Sequence, residues 1–278
     1  MTGPVSHFIA SGQITGQAYG IVLSLGLGFA RALGMMAILP VFSRLQLGGS
    51  LRAAVAFSLA LIVAPALDAH YGRLHGAADA AVSLSALLFA LKEGALGLVL
   101  GVVMSVPFWA AEMAGELIDM QRGSQSAITT SSSTGEESGM LGTFMLFLVI
   151  AIFMLSGGMN LVLRGFVASF AIWPTFDWLP RFTPSGGVAI LRLLDAVTRA
   201  GVVIAAPLVV AMLVAEIGLG FINRYAPPIN VFDLALGLKG LIVAVGLCVY
   251  TLVLVGRFHH MALGLGAIGT EIGHLAPG

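Results

Sequence analysis

Residues 188–215 read VAILRLLDAVTRAGVVIAAPLVVAMLVA, a run of 28 residues interrupted by three charges, Arg192, Asp195 and Arg199. An α-helix needs about 20 apolar residues to cross the hydrocarbon core of a bilayer, so the run is long enough to span one. The charges fall at i, i+3 and i+7, which at about 100° per residue places them on one helical face. Asp195 is therefore positioned to bridge both arginines. An ionised side chain at a lipid-exposed helix centre costs roughly 2.5–3.5 kcal/mol, so this face is expected to meet protein or water rather than acyl chains. An amphipathic helix lying outside the membrane is the other reading of the same pattern.

Five further apolar runs flank this one: Tyr19–Val41, Arg52–Leu67, Ala80–Val106, Met140–Ser156 and Val231–Val255. The expected fold class is all-α, with about six long apolar helices arranged as kinked, membrane-associated hairpins over a single domain, residues 1–278. Composition agrees. Apolar residues make up 58% of the 278 and charged residues 9%, against about 45–50% and 25% in soluble chains, and the mean hydropathy is +1.01. A soluble fold has too few polar side chains to work with here, and a disordered one needs low hydrophobicity and high charge. The 13 basic and 13 acidic residues cancel, leaving no basic stripe for nucleic acid. No Lys or Arg precedes Arg31, so the run from near Ala18 is expected to be a permanent span rather than a cleavable signal. Lys and Arg divide four against four between the two sets of loops, which leaves orientation open.

The helices carry features that suit protein neighbours. Arg31, Lys92, Glu93, Glu216 and Lys239 also lie within or beside apolar runs. The 36 glycines include the pairs Gly97/Gly101, Gly16/Gly20 and Gly269/Gly273, and small residues four apart let helix backbones approach closely. Pro65, Pro107 and Pro207 fall inside apolar runs and predict kinked or broken helices. Trp173 to Pro180 suits either an interfacial aromatic belt or an ordinary turn.

Between the third and fourth runs lies a polar stretch, Glu112–Gly139. Glu112, Glu116 and Asp119 form an acidic stripe at i, i+4, i+7. After it, residues 124–133 are mostly small and hydroxylated, and such side chains compete with the helix for backbone hydrogen bonds. A mobile loop over about 119–139 is expected, with Thr134-Gly135-Glu136-Glu137 as a capping box restarting the chain into Met140. Chemistry is harder to find. Gly264 to Gly269 matches GxGxxG, but no βαβ unit can follow it and a close-packing tail is the better reading. The histidines have no ligand spacing, and the single Cys248 reads as an inert buried thiol. Neither cofactor, metal nor enzymatic activity is expected.

Three stretches carry a resemblance. Gly115 to Gly123 (GELIDMQRG) continues into Ser133 to Ser138 (STGEES) and Leu141-Gly142. Arg31 to Gly34 is followed by Leu39 to Ser43 (LPVFS) and Pro65, and Asn223 to Phe232 (NRYAPPINVF) is followed by Lys239. In this order the chain resembles the T subunit of the type III secretion export apparatus, SctT in injectisomes and FliR in flagella, with the injectisome branch favoured. It departs at Pro228, where the family usually has Gln, and before Lys239, where the family has Pro.

The resemblance implies a noncatalytic structural and gating subunit, packed in a hetero-oligomeric export gate in the bacterial inner membrane. Its implied partners are five R and four S subunits around one T, a U subunit around the base, membrane lipid, and unfolded secreted polypeptides in a central pore. It implies a plug within the loop that includes Gln121, Arg122, Gly123, Ser131, Ser132, Ser133, Glu136 and Glu137. Subunit packing would fall to Arg31, Glu116, Asp119, Arg192, Asp195, Arg199, Asn223, Arg224, Pro227, Asn230, Phe232 and Lys239. The alternative from another class is a stand-alone secondary transporter of a small solute, which would share the intramembrane charges and interrupted helices.

Overall fold

A computed structural model of the chain describes residues 4–45, 48–74, 82–123, 129–130, 137–177, 185–225, 233–249, 251 and 255–256. Nearly all of these are helical. The elements are α1 (Pro4–Ile38), α2 (Pro40–Ser43), α3 (Gly49–Leu74), α4 (Val82–Arg122), β1 (Thr129–Thr130), β2 (Glu137–Ser138), α5 (Met140–Leu155), α6 (Gly158–Ile172) and α7 (Ser185–Tyr225). A further helix, α8, covers residues 233–249. The two short strands pair antiparallel, Thr129 with Ser138 and Thr130 with Glu137.

Among the described residues, each of the six apolar runs is helical over most of its length. Four stretches are long and apolar enough to cross a membrane: Ala18–Ile38, Gly49–Leu67, Ala86–Arg122 and Leu194–Tyr225. The run from Met140 behaves differently. It stops at Leu155 and continues after a break as α6, giving a sharply bent pair that raises the possible count to 5. Gly157 sits in the break with φ 74°, a left-handed conformation that costs a residue with a Cβ roughly 1–2 kcal/mol. None of the three prolines inside these runs breaks its helix. Pro65, Pro107 and Pro207 lie inside α3, α4 and α7, and each helix continues past them. Pro40 does mark a boundary, since α1 ends at Ile38, Leu39 turns to an extended conformation, and Pro40 opens α2 at its first position.

The chain divides into two compact units. The first takes in Met1–Ser105 and Asn160–Thr183, and the second Val106–Met159 and Pro184–Gly266. In the first, α1 packs against α3 and against the beginning of α4, around Leu27, Met35, Met36, Leu39, Ala56 and Ala60. The α1–α4 crossing is close because its contact positions have no side chain. A β-carbon on Gly97 would overlap the carbonyl of Arg31, and one on Gly34 the carbonyl of Gly94. Gly101 meets the carbonyl of Met35 in the same way, so the Gly97/Gly101 pair makes the close contact its spacing predicts; Gly269/Gly273 lies outside the described residues. In the second unit the core gathers Phe108, Ile118, Met145, Leu146, Phe153 and Met212. Phe108 and Phe153 meet edge to face with centroids 5.1 Å apart, a favoured aromatic geometry.

Only 22% to 39% of the residues in the four membrane-length stretches are buried within the chain. Large side chains such as Val22, Leu91, Val214 and Phe221 are exposed. Apolar surface of this extent needs lipid or partner chains to cover it. The protein is a multi-pass, all-helical membrane protein.

Candidate functional site

The first unit holds a buried cluster of charge. Arg31 lies on α1, 1% exposed, and Glu93 on α4 is fully buried. Arg31 Nε donates to Glu93 Oε2 at 2.5 Å. The remaining guanidinium nitrogens reach α6 and the turn after it: Nη1 donates to Ser169 Oγ at 3.0 Å and Nη2 to the carbonyl of Trp173 at 3.0 Å. The guanidinium also lies 3.8 Å from the centroid of the Phe170 ring, a cation–π contact that gains strength where water is excluded. Lys92, beside Glu93, stands 3.1 Å from Glu93 Oε1. Its ammonium donates to the carbonyls of Thr175 and Asp177, the latter at 3.0 Å. Two cations and one carboxylate are thus matched by backbone carbonyls, a hydroxyl and an aromatic face. Such matching is what makes ionised groups tolerable within apolar helices. The cluster joins α1, α4 and the segment Trp173–Asp177.

The second unit holds another, built at the base of the polar segment. Sequence composition places Asp119 to Arg122 in a loop; the structure corrects this, because α4 continues through them. The acidic stripe Glu112, Glu116, Asp119 is therefore entirely helical, and α4 ends with Gly123 at φ 79°, its N–H donating to the carbonyl of Met120. Gly123 takes that left-handed conformation without a Cβ penalty.

The start of α5 is also different from expectation. The capping box is not how α5 begins. Its N-cap is Gly139, without a side chain to cap the orphan amides of the first turn. Asp119 supplies the acceptor from α4 instead. Its Oδ2 accepts from the Leu141 N–H at 2.7 Å, and its Oδ1 from Arg122 Nη2 at 2.9 Å. Asp119 is 6% exposed. The fit requires glycine, since a β-carbon on Gly139 would stand 2.5 Å from Asp119 Oδ2. Gly115 and Gly142 bring the two helices together beside it: a β-carbon on Gly142 would stand 2.8 Å from Glu116 Cγ. A second tether holds the end of α4. Lys239 on α8, 9% exposed, donates to the carbonyl of Gln121 at 3.1 Å and stands 3.0 Å from Glu216 Oε2 on α7. Gln121 Nε2 donates to the same Glu216 oxygen at 3.3 Å.

Of the gating positions read from sequence, Gln121, Arg122 and Gly123 lie at this base and Glu137 lies on β2. Ser131, Ser132, Ser133 and Glu136 lie outside the described residues. Of the packing positions, Arg31, Asp119 and Lys239 are buried and Glu116 is half-buried, while Arg192, Asp195, Arg199, Asn223 and Arg224 are exposed on α7. Pro227, Asn230 and Phe232 lie outside the described residues. Among the described residues no ion pair joins Asp195 to Arg192 or Arg199. Sharing a helical face brings their charges near each other, but exposed long side chains gain little by fixing one geometry. Sequence reading missed Ser169, Phe170 and the carbonyls of Trp173 to Asp177 as partners of Arg31 and Lys92. Their separation, 138 residues for Ser169, leaves no local signal by which to find them.

Residues 22–264 match the family described as bacterial export proteins, family 1. The chain is 34% identical over 221 residues to Yop proteins translocation protein T of Yersinia pestis, covering 79% of this chain and 82% of that protein. It is 29% identical over 252 residues to surface presentation of antigens protein SpaR of Salmonella typhimurium, covering 88% and 90%. To the flagellar biosynthetic protein FliR of Bacillus subtilis it is 28% identical over 221 residues, covering 76% and 79%.

Proposed function

This chain belongs to the bacterial export proteins, family 1, and we propose that it is the noncatalytic structural and gating T subunit of a type III secretion export channel in the bacterial inner membrane. Its relatives carry names of translocation, secretion-apparatus and flagellar biosynthetic proteins. The stronger identity to the Yop translocation protein than to the flagellar proteins favours the injectisome branch. On this reading the whole chain, 1–278, acts as one export-apparatus domain that assembles with R and S subunits, five and four to one T, with U at the base. The assembly surrounds a pore for unfolded polypeptides.

The observation that carries the reading is the polar segment between Arg122 and Gly139, entered from one long apolar helix and left by another, with both ends fastened by buried polar groups. A polar insertion fixed in this way between membrane helices suits a plug that narrows a channel until substrate passes. The exposed charges Arg192, Asp195 and Arg199 on α7 support packing against sibling subunits, because lipid is a costly neighbour for them.

Two measurements test the proposal. Tagged chain purified from its native membrane should bring R and S subunits with it in stoichiometric amounts, and a chain recovered alone in repeated mild extractions would overturn the assembly. Deleting Ser124–Ser133 should raise small-solute leakage through the assembled complex. Unchanged leakage in a complex that still assembles would overturn the plug.

A further inference from the structure

We propose that the two compact units turn about a hinge made of residues 102–107 of α4 and the break between α5 and α6 at residues 156–157. The hinge stands whether or not the chain serves an export gate. Among the described residues the chain passes from one unit to the other twice, after Ser105 in α4 and after Met159 at the start of α6. On either side of each passage, the helix is fastened to its own unit. Upstream in α4, Gly101 lies against the carbonyl of Met35 on α1, and Met104 Cε fills the place that a β-carbon on Gly165 of α6 would take. Downstream, Phe108 meets Phe153 of α5 edge to face. Gly201 of α7 approaches the same part of α4, where a β-carbon would stand 3.1 Å from the carbonyl of Ala110. The second passage is clamped likewise. Phe153 covers Gly158 so closely that a β-carbon there would stand 2.5 Å from its ring, while α6 is tied to α1 through Ser169 and Arg31.

What lies between the clamps is weak. Pro107 has no N–H to donate to the carbonyl of Val103, and its ring crowds that carbonyl. In the same stretch the buried Ser105 Oγ donates to the carbonyl of Gly101 at 2.6 Å. A serine bonded to the carbonyl four residues back competes with the backbone donor there and favours bending. The helix runs unbroken through residues 102–107, but with one backbone hydrogen bond missing and another shared. At the other passage no helical bond has to yield, because α5 has ended at Leu155 and Gly157, with φ 74°, separates it from α6. Hinges consist of a few residues that absorb backbone rotation while the packed bodies on both sides keep their shape. Both weak points of this kind fall where the chain changes unit.

Distances between spin labels on the full chain in detergent test the hinge. Cys248→Ser first removes the single cysteine, and the labels then go on exposed positions. Leu51→Cys with Ile217→Cys reads across the units. Val22→Cys with Leu51→Cys reads within the first, and Phe147→Cys with Ile217→Cys within the second. The distance distribution across the units should be roughly twice as broad as either control, as two rigid bodies on a hinge require. Ser105→Ala combined with Pro107→Ala makes α4 a regular helix clamped at both ends, and should narrow that distribution to the control width. Hydrogen–deuterium exchange gives a second reading. Amides of residues 102–111 should exchange roughly tenfold faster than those of the flanking turns of α4, and should slow to their level in the double variant.

A distribution across the units as narrow as the controls in the otherwise unaltered chain overturns the hinge. So does a width or an exchange rate that the double variant leaves unchanged. Should the double variant not be recovered folded, Ser105→Ala alone takes its place. It should narrow the distribution and slow the exchange part of the way, and no change in either reading overturns the hinge.

Discussion

Replacing Glu93 with Ala tests how much of this fold depends on buried charge. The carboxylate is fully buried, contacts an arginine that is 1% exposed at 2.5 Å, and stands 3.1 Å from Lys92. Its removal leaves Arg31 with the Ser169 hydroxyl, the Trp173 carbonyl and the Phe170 ring, none of which carries a formal negative charge. Two cations then share an apolar interior without an anion. Removing one partner of a buried pair costs about 3–5 kcal/mol, because the remaining charge is left uncompensated. At about 2–4 °C per kcal/mol for a chain of this size class, the unfolding midpoint in detergent should fall by roughly 10 °C, followed by tryptophan fluorescence or circular dichroism. The cause can be separated from simple loss of packing by a double-mutant cycle. Arg31→Met combined with Glu93→Leu replaces the pair by apolar groups and should be less destabilised than the sum of the two single variants by more than about 1 kcal/mol. A midpoint for Glu93→Ala within about 2 °C of wild type, or strictly additive losses in the cycle, would refute the reasoning.

The same type of pair gives a much smaller effect where water reaches it. Lys239→Met removes a cation whose partner Glu216 is half exposed, and the expected stability loss, read by the same melt, is about 1 kcal/mol or less. Gly97→Val forces a side chain into the carbonyl of Arg31 and should cost about 1–3 kcal/mol by overpacking, with a lowered yield of folded chain in detergent as the readout. Gly157→Ala puts a Cβ on a residue at φ 74° and should cost roughly 1–2 kcal/mol, measurable as a lowered melting midpoint. Asp195→Ala, on the exposed face of α7, should leave the melt of the isolated chain unchanged while weakening recovery of the assembled complex on native gels; full recovery would show that this face does not pack against a neighbour.

Much of the fold was legible in the sequence because it follows from counting. Apolar length against bilayer thickness predicts helices at all six runs, and glycine spacing at Gly97 and Gly101 predicts a close helix–helix contact, whose partner, α1, only the structure supplies. Local composition was a poorer guide at boundaries. The polar residues Asp119 to Arg122 look like loop, yet they continue α4, because tertiary partners satisfy each of them: Asp119 by the Leu141 amide and Arg122, Gln121 by Lys239 and Glu216. No helix breaks at Pro65, Pro107 or Pro207, for a related reason. A proline deletes one hydrogen bond, which a long helix packed on its neighbours tolerates, whereas the glycine at 157 adopts a conformation that no helix can include.

What the sequence by itself determined is therefore the solvent, the helices, the order of the family motifs and the positions where charge would need a partner. Which partners those are was decided only by the tertiary structure. Arg31 and Glu93 are 62 residues apart, and Arg31 and Trp173 are 142 apart. Periodicity fixes which residues share a face of one helix, but says nothing about which faces meet. Arg192, Asp195 and Arg199 share a face and remain exposed, while Arg31 and Glu93, on different helices, find each other because glycines at the α1–α4 crossing let the two backbones come close enough for short-range electrostatics to act.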